Sequence, residues 1–413
     1  MQTLIDRLHG LLRRSERYTK TDMVYAVSGL FWTTSGQAVA ILCAIPLAVV
    51  LANLLTPVEY GIYRYVLTVA AVIGAFSLTG LPAVLTRAAA RGFDGSLKEA
   101  FWLTIKGSGL VILGSFAGAA YYYLQGNSIL AGGMALIGIF WPWLQSATLF
   151  SAFLSGKLLV RMNTAYGNRR TVIHTLVMLA TAYLYPEPLA ILLSYFVIQT
   201  ATALYYYHKT RKLHVENDER DPELKFLGKH MSFLNIINVL IDKLDALLLF
   251  QFVGAAELAI YAFAEMVPDV LNRFTKNVSA LALPKFVTRG DAAGIWRKTF
   301  LISLLLLPVA LLYCALAPFL FPIFLPAYTA AVPFTQALAL LAVINAALPS
   351  TYIDAQGAIK TRYVITFVTN ITKVIAVGGG VLLFGIWGAI MGRYVSRLVT
   401  VAANAVALHY LTR

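Results

Sequence analysis

Apolar stretches long enough to cross a bilayer, about 20 residues each, recur from one end of this sequence to the other. No other feature restricts the possible folds as strongly. Of the 413 residues 59% are apolar and only 13% are charged, more apolar surface than a soluble domain of this size can hide. Lipid must cover the excess. Inside hydrocarbon the backbone has no water to bond, so a spanning segment is a helix or a strand of a closed barrel. The runs are far longer than a barrel strand and do not alternate strictly. The sequence therefore predicts an all-α polytopic membrane protein of about 12 spans: 25–55, 59–80, 98–124, 128–150, 168–186, 188–208, 230–253, 257–281, 297–320, 331–353, 362–384 and 387–411.

The formal net charge of +14 is explained by where the charges stand, and nucleic acid is not an expected partner. The connections 81–97, 151–170, 209–229, 282–298 and 354–363 carry Lys and Arg, among them Arg87, Arg91, Lys157, Arg161, Lys209, Arg211, Lys285 and Lys360. The intervening connections 56–58, 125–127, 187, 254–256, 321–330 and 385–386 carry none. Positive loops stay in the cytoplasm, which places both termini there. Met1, Ile5, Leu8 and Leu12 fall on one helical face with Arg7, Arg13, Arg14 and Arg17 around the rest. Residues 1–20 thus read as a helix lying on an anionic membrane surface rather than as a cleaved signal. Cys43 and Cys314 sit in apolar runs, and the six histidines show no ligand spacing. No metal and no cofactor is expected.

The segment 209–229 is the most polar in the chain and falls halfway, so it reads as a cytoplasmic linker. It separates an N-lobe (21–208, spans one to six) from a C-lobe (230–413, spans seven to twelve). Glu59-Tyr60-Gly61-Ile62-Tyr63 and Glu257-Leu258-Ala259-Ile260-Tyr261 repeat a pattern at the same topological place. Six spans per lobe make this a parallel repeat, an arrangement of transporters that hold cargo between halves.

Charges inside the spans are costly, about 2.5–3.5 kcal/mol each at the bilayer centre, and several together require pairing or an aqueous cavity. Steps of three and four place Asn235, Asn238, Asp242 and Asp245 on one face of span seven. The same holds for Glu265, Asp269, Asn272 and Lys276 in span eight, Thr366, Asn370 and Lys373 in span eleven, and Arg393, Arg397, Thr400 and Asn404 in span twelve. At about 1.5 Å of rise per residue, Asp242, Glu265, Lys373 and Arg397 lie near the midplane. Such mixed charges form structural ion pairs, or carboxylates that take a proton or Na+ beside cations that hold a phosphate. Arg64 stands close to the outer surface, where snorkelling alone can satisfy it. Its place beside the repeat keeps it a candidate.

Leu54-Leu55-Thr56-Pro57-Val58-Glu59-Tyr60-Gly61-Ile62-Tyr63 resembles the first-loop signature of bacterial polysaccharide-lipid flippases of the multidrug/oligosaccharidyl-lipid/polysaccharide exporter superfamily. Gly80-Leu81-Pro82 with Thr86-Arg87, Asp242-Lys243, Gln356-Gly357 and Gly385-Ile386-Trp387-Gly388-Ala389 extend the resemblance over nearly the whole chain. It implies two six-helix lobes around a cavity lined largely by spans one, two, seven and eight, working by alternating access in the bacterial inner membrane. The cargo it implies is an undecaprenyl-pyrophosphate-linked oligosaccharide, with a polysaccharide polymerase and chain-length proteins as candidate partners. On the matching spans Arg64, Arg273 and Lys276 are the expected phosphate contacts. Arg393, Arg397 and Lys373 are expected to serve as a second anion site or as carboxylate partners. Asp242, Asp245, Glu265 and Asp269 are the expected ion-coupling residues, for H+ or Na+. The carboxylate concentration departs from the family pattern and leaves a cation-coupled multidrug antiporter of the same superfamily as the alternative. No nucleotide-sugar, metal or Walker-type motif marks an enzyme or ATP use.

Overall fold

The computed structural model describes residues 23–288, 293–344, 347–356 and 358–411. The amphipathic helix expected over 1–20 lies outside them. In chain order the helices are α1 (Met23–Leu54), α2 (Pro57–Gly74), α3 (Leu81–Ala90), α4 (Ser96–Gly107), α5 (Gly109–Leu124), α6 (Ser128–Gly156), α7 (Val160–Leu184), α8 (Pro188–His214), α9 (Leu224–Asp242) and α10 (Leu244–Leu248). A π-helical turn (Leu249–Val253) leads to α11 (Ala255–Thr288) and α12 (Ala293–Phe324). A 3-10 turn (Pro326–Ala331), α13 (Val332–Val343), α14 (Ala347–Ala355) and α15 (Ile359–Leu411) complete the chain. No strand occurs among the described residues, and the protein is an all-α, multi-pass membrane protein.

Seven helices among the described residues are long and apolar enough to cross a membrane. The expected spans over α2, α7, α9 and α11 are not among them, because each carries charged side chains. The longest of the seven, Lys360–Tyr410, has 51 residues, about 75 Å if straight and more than twice a hydrocarbon core. It is not straight. Gly385 leaves the helix at φ 57°, ψ −129°, a conformation only glycine adopts without strain. A Cβ on Gly380 or on Gly388 would run into the other's backbone. The two limbs of α15, 359–384 and 386–411, are therefore an antiparallel hairpin with touching backbones, on the spans expected at 362–384 and 387–411.

The chain divides into two compact units, Met1–Leu51 with Ile73–Ile236, and Ala52–Val72 with Ile237–Arg413. This grouping differs from the sequence division at two places. Most of α2 belongs with the second unit, and 209–236 belongs with the first.

In the first unit Leu81, Leu85, Leu97, Phe150, Phe153 and Leu154 form a core between α3, α4 and α6. The segment read as a linker is fastened to this unit. Asp94, fully buried, pairs with Lys157 at 2.7 Å and accepts the Glu216 N–H at 3.0 Å. Asn217 donates to the Gly92 carbonyl at 2.9 Å, and Arg87 reaches Asp221 at 3.1 Å and Glu223 at 2.9 Å. Asp94→Ala removes the one carboxylate that serves both Lys157 and the Glu216 backbone. The expected cost is about 2 kcal/mol, read as faster proteolysis within 215–220 in membranes with that face exposed.

In the second unit α2 starts with a reciprocal cap. Thr56 donates its backbone N–H and its hydroxyl to the Glu59 carboxylate, each at 2.8 Å, and the Glu59 N–H returns to the Thr56 hydroxyl at 3.3 Å. Pro57 follows at the first helical position, where its missing N–H costs nothing. A Cβ on Gly61 would overlap the Ala255 backbone, so α2 crosses the start of α11 at a distance only glycine permits. Tyr60 stacks on Phe263 at 4.4 Å and Phe263 meets Tyr328 at 4.3 Å. The Thr56-to-Tyr63 motif is thus a device for starting α2 and seating it within the second unit.

Candidate functional site

The polar stripes of the second unit converge. α9 ends at Asp242, Lys243 departs from helical geometry at φ −103°, ψ 1°, and α10 restarts at Leu244. This break aims Asp242, Lys243 and Asp245 into one space. Glu265 and Asp269 enter from α11 one turn apart, flanking Pro268, and Arg393 and Arg397 enter one turn apart from the second limb of α15. Lys373 comes from the first limb and Arg64 from α2. Together they line a cavity of about 540 Å³ built wholly from the second unit. Its walls are spans two, seven, eight, ten, eleven and twelve, so span one of the expected set does not take part.

Five cations and four carboxylates line this space, a formal charge of +1. Their partners divide them. Arg393 bridges Asp245 and Glu265: its Nε donates to Asp245 at 2.8 Å, and its Nη2 meets both carboxylates. Asp245, with a side chain 2% exposed, also accepts the Tyr261 hydroxyl at 2.9 Å and the Ala246 N–H at 2.8 Å. The Arg393 guanidinium lies 5.2 Å from the Tyr261 ring centroid, within cation–π range. Lys373 pairs with Asp242 at 2.8 Å.

Two arginines stand apart from these pairs. Arg397 reaches the Asn272 amide oxygen at 3.5 Å, a weak contact, and pairs with no carboxylate among the described residues. Arg64 is half-buried, makes no ion pair among the described residues, and its Nε is buried with no hydrogen-bond partner. It lies in the cavity with Glu265 and Asp269 instead of merely snorkelling. Asp269 has no ion pair among the described residues either. Arg273 is exposed and does not line the cavity, and the Lys276 side chain lies outside the described residues. The span-seven stripe splits: Asn238 accepts from Asn370 at 3.4 Å within the second unit, whereas Asn235 donates to Thr79 at 3.2 Å within the first. Asn404, fully buried, accepts from Ser350 at 3.3 Å and is a packing residue.

Sequence reasoning gave no role to two participants. Lys243 lines the cavity because the helix breaks there, which periodicity cannot show. Tyr261 holds Asp245, and its place in the Glu257-to-Tyr261 repeat was the available signal. Among the described residues no group of three or more His, Cys, Asp and Glu side chains is arranged to hold a metal ion.

Residues 50–333, about two thirds of the chain, match the family described as polysaccharide biosynthesis protein. The chain belongs to that family. Among solved structures, this polysaccharide biosynthesis protein is similar to an outward-facing multidrug resistance MATE family transporter of the MOP superfamily. That pair is 14% identical over 91% of this chain and 94% of the other, with a TM-score of 0.60. It is similar too to a MOP superfamily transporter from Pyrococcus furiosus, for which a reversed polarity of the binding pocket is described: 15% identity, 92% and 94% coverage, TM-score 0.60. A eukaryotic MATE transporter matches at 12% identity, 93% and 96% coverage and a TM-score of 0.54. Identities this low establish a shared fold and nothing finer. None of the curated proteins matches the sequence significantly. Family and fold together describe a polysaccharide biosynthesis protein with the fold of these membrane transporters.

Proposed function

We propose that this protein is a MOP-superfamily transporter, a flippase that carries an undecaprenyl-pyrophosphate-linked oligosaccharide from the cytoplasmic to the outer leaflet of a bacterial inner membrane, by alternating access and without catalysis. Both termini are cytoplasmic in this reading, and a polysaccharide polymerase and chain-length proteins are its partners. One observation carries it. Arg64 and Arg397 enter a cavity in a membrane unit without a carboxylate partner among the described residues. A guanidinium drawn partly out of water and left without an anion is costly unless a ligand supplies one, and its forked donors match phosphate oxygens. The family description supports a glycan-linked cargo.

Arg64 and Arg397 are the phosphate contacts, with Arg273 and Lys276 further along α11 receiving the head group. Arg393 is already engaged by two carboxylates and holds the site in shape. Coupling to H+ or Na+ falls to Asp242, Asp245, Glu265 and Asp269, of which Asp269 is the freest and Asp245 the most firmly held. Each neutralised phosphate contact removes a charge-assisted hydrogen bond of about 1.5–3 kcal/mol. Arg64→Gln and Arg397→Gln are each expected to slow translocation roughly tenfold or more. Leaflet-resolved labelling of lipid-linked sugars in cells checks this, with accumulation on the cytoplasmic face as the expected sign. Full glycan export by the double variant defeats the assignment. Drug resistance transferred without a glycan phenotype would instead favour the multidrug antiporter, which the four cavity carboxylates also accommodate.

A further inference from the structure

Asp245 and Glu265 share Arg393 unequally. Asp245 receives the Arg393 Nε and Nη2, the Tyr261 hydroxyl and the Ala246 N–H. Glu265, with a side chain 17% exposed, has Arg393 Nη2 alone among the described residues, and Asp245 also engages that nitrogen. The other charged or titratable groups around Glu265 do little to help it. Asp269 stands one turn along α11 and repels it, Tyr261 one turn back is committed to Asp245, and Lys373 from the first limb of α15 is committed to Asp242. Arg64 enters from α2, Lys243 from the break between α9 and α10, and Arg397 from the second limb of α15, and none of the three pairs with Glu265. Two carboxylates on one guanidinium leave a negative charge short of a partner, and Glu265 is the weaker-held of the two.

A ligand with two negative charges changes this balance. It brings the cavity from a formal charge of +1 to −1, and its oxygens compete for the outer edge of Arg393. We infer that Glu265 is a proton-for-anion exchange site: a dianionic phosphate group takes Arg393 Nη2 from Glu265, and Glu265 binds a proton in return. The bond broken is Arg393 N–H to the Glu265 carboxylate, and the bond formed is Arg393 N–H to a phosphate oxygen. The proton comes from water and converts the Glu265 carboxylate to the acid, which returns the occupied cavity to neutrality. Protonation is the cheaper route, because a carboxylate stripped of its cation in a shielded cavity neutralises rather than stay charged. Asp245 is not the exchanging partner, since its release would orphan the Tyr261 hydroxyl and the Ala246 N–H as well. By linkage the anion binds more tightly as pH falls, and it raises the proton affinity of Glu265 by the same factor. This inference rests on the reading of the cavity as an anion site.

Calorimetric titration of the full chain in detergent with P1,P2-dimethyl pyrophosphate, whose charges do not titrate near neutral pH, tests it. At one pH, buffers of different ionisation enthalpy report the protons exchanged. The parent chain is expected to take up about one proton per anion bound, with affinity rising up to about tenfold per unit fall in pH. Glu265→Gln, which keeps a hydrogen-bonding oxygen for Arg393, is expected to bind the probe with no proton uptake, and Asp354→Asn, at a carboxylate outside the cavity that pairs with Arg362 at 3.2 Å, to keep the uptake. Binding by the parent chain without proton uptake overturns the inference and spares the anion site, a result that does not depend on any variant folding. Uptake that persists in Glu265→Gln, or disappears in Asp354→Asn, also overturns it. Failure of the parent chain to bind the probe overturns the anion site itself and the inference with it.

Discussion

Arg393→Met is expected to destabilise the protein by about 3–5 kcal/mol, the largest loss of any single cavity substitution. Arg393 is the common partner of Asp245 and Glu265, and Asp245 is almost fully buried. Methionine keeps most of the volume but leaves two carboxylates without a cation, one of them sealed among helices. The Tyr261 hydroxyl and the Ala246 N–H cannot compensate a full charge. The check is thermal unfolding of detergent-purified protein beside the triple variant Arg393→Met, Asp245→Asn, Glu265→Gln. Replacing a whole buried ion cluster by neutral groups of similar volume is often neutral, so the triple variant is expected to recover most of the loss. It should fold and still lack the proton uptake assigned to Glu265. A single variant as stable as the parent chain would mean that the Arg393 bridge does not hold the unit together.

The second large effect comes from the α15 hairpin. In Gly388→Val, Cβ would fall on the Gly380 backbone, and backbone cannot step aside as a flexible side chain can. The two limbs must separate, at an expected cost of about 3 kcal/mol. Lys373 and Arg393 stand on opposite limbs of this hairpin and both face the cavity, so separation also pulls their pairs with Asp242 and Asp245 apart. Gly379→Ala is the control. It lies on the facing limb beside Gly380, with open space where its Cβ would stand, and alanine is the better helix former. Its expected effect is neutral or slightly stabilising. Equal losses in the two variants would show that the limbs do not meet at Gly380 and Gly388.

Several elements of this architecture were legible before any coordinates. The apolar runs specified helices, because backbone in hydrocarbon has no other bonding partner. The three-and-four spacing of Glu265 with Asp269, and of Arg393 with Arg397, placed each pair on one face, as the cavity lining confirms. The turn between 384 and 387 was readable because a helix of that length overshoots a bilayer, and Gly385 supplies its backbone conformation.

The sequence by itself determined the phase in which this chain folds, its helical class, and which faces of its later helices are too polar for lipid. Periodicity is a property of one helix, and it carries that information without reference to any other. Only the tertiary structure decided which charges cancel and which stay open to a ligand. Arg393 meets Asp245 across 148 positions of sequence, and Arg64 shares a cavity with Glu265 because α2 belongs to the second unit. Ion pairing falls off over a few ångströms, so it depends on how separate helices approach one another, and no spacing along the chain records that.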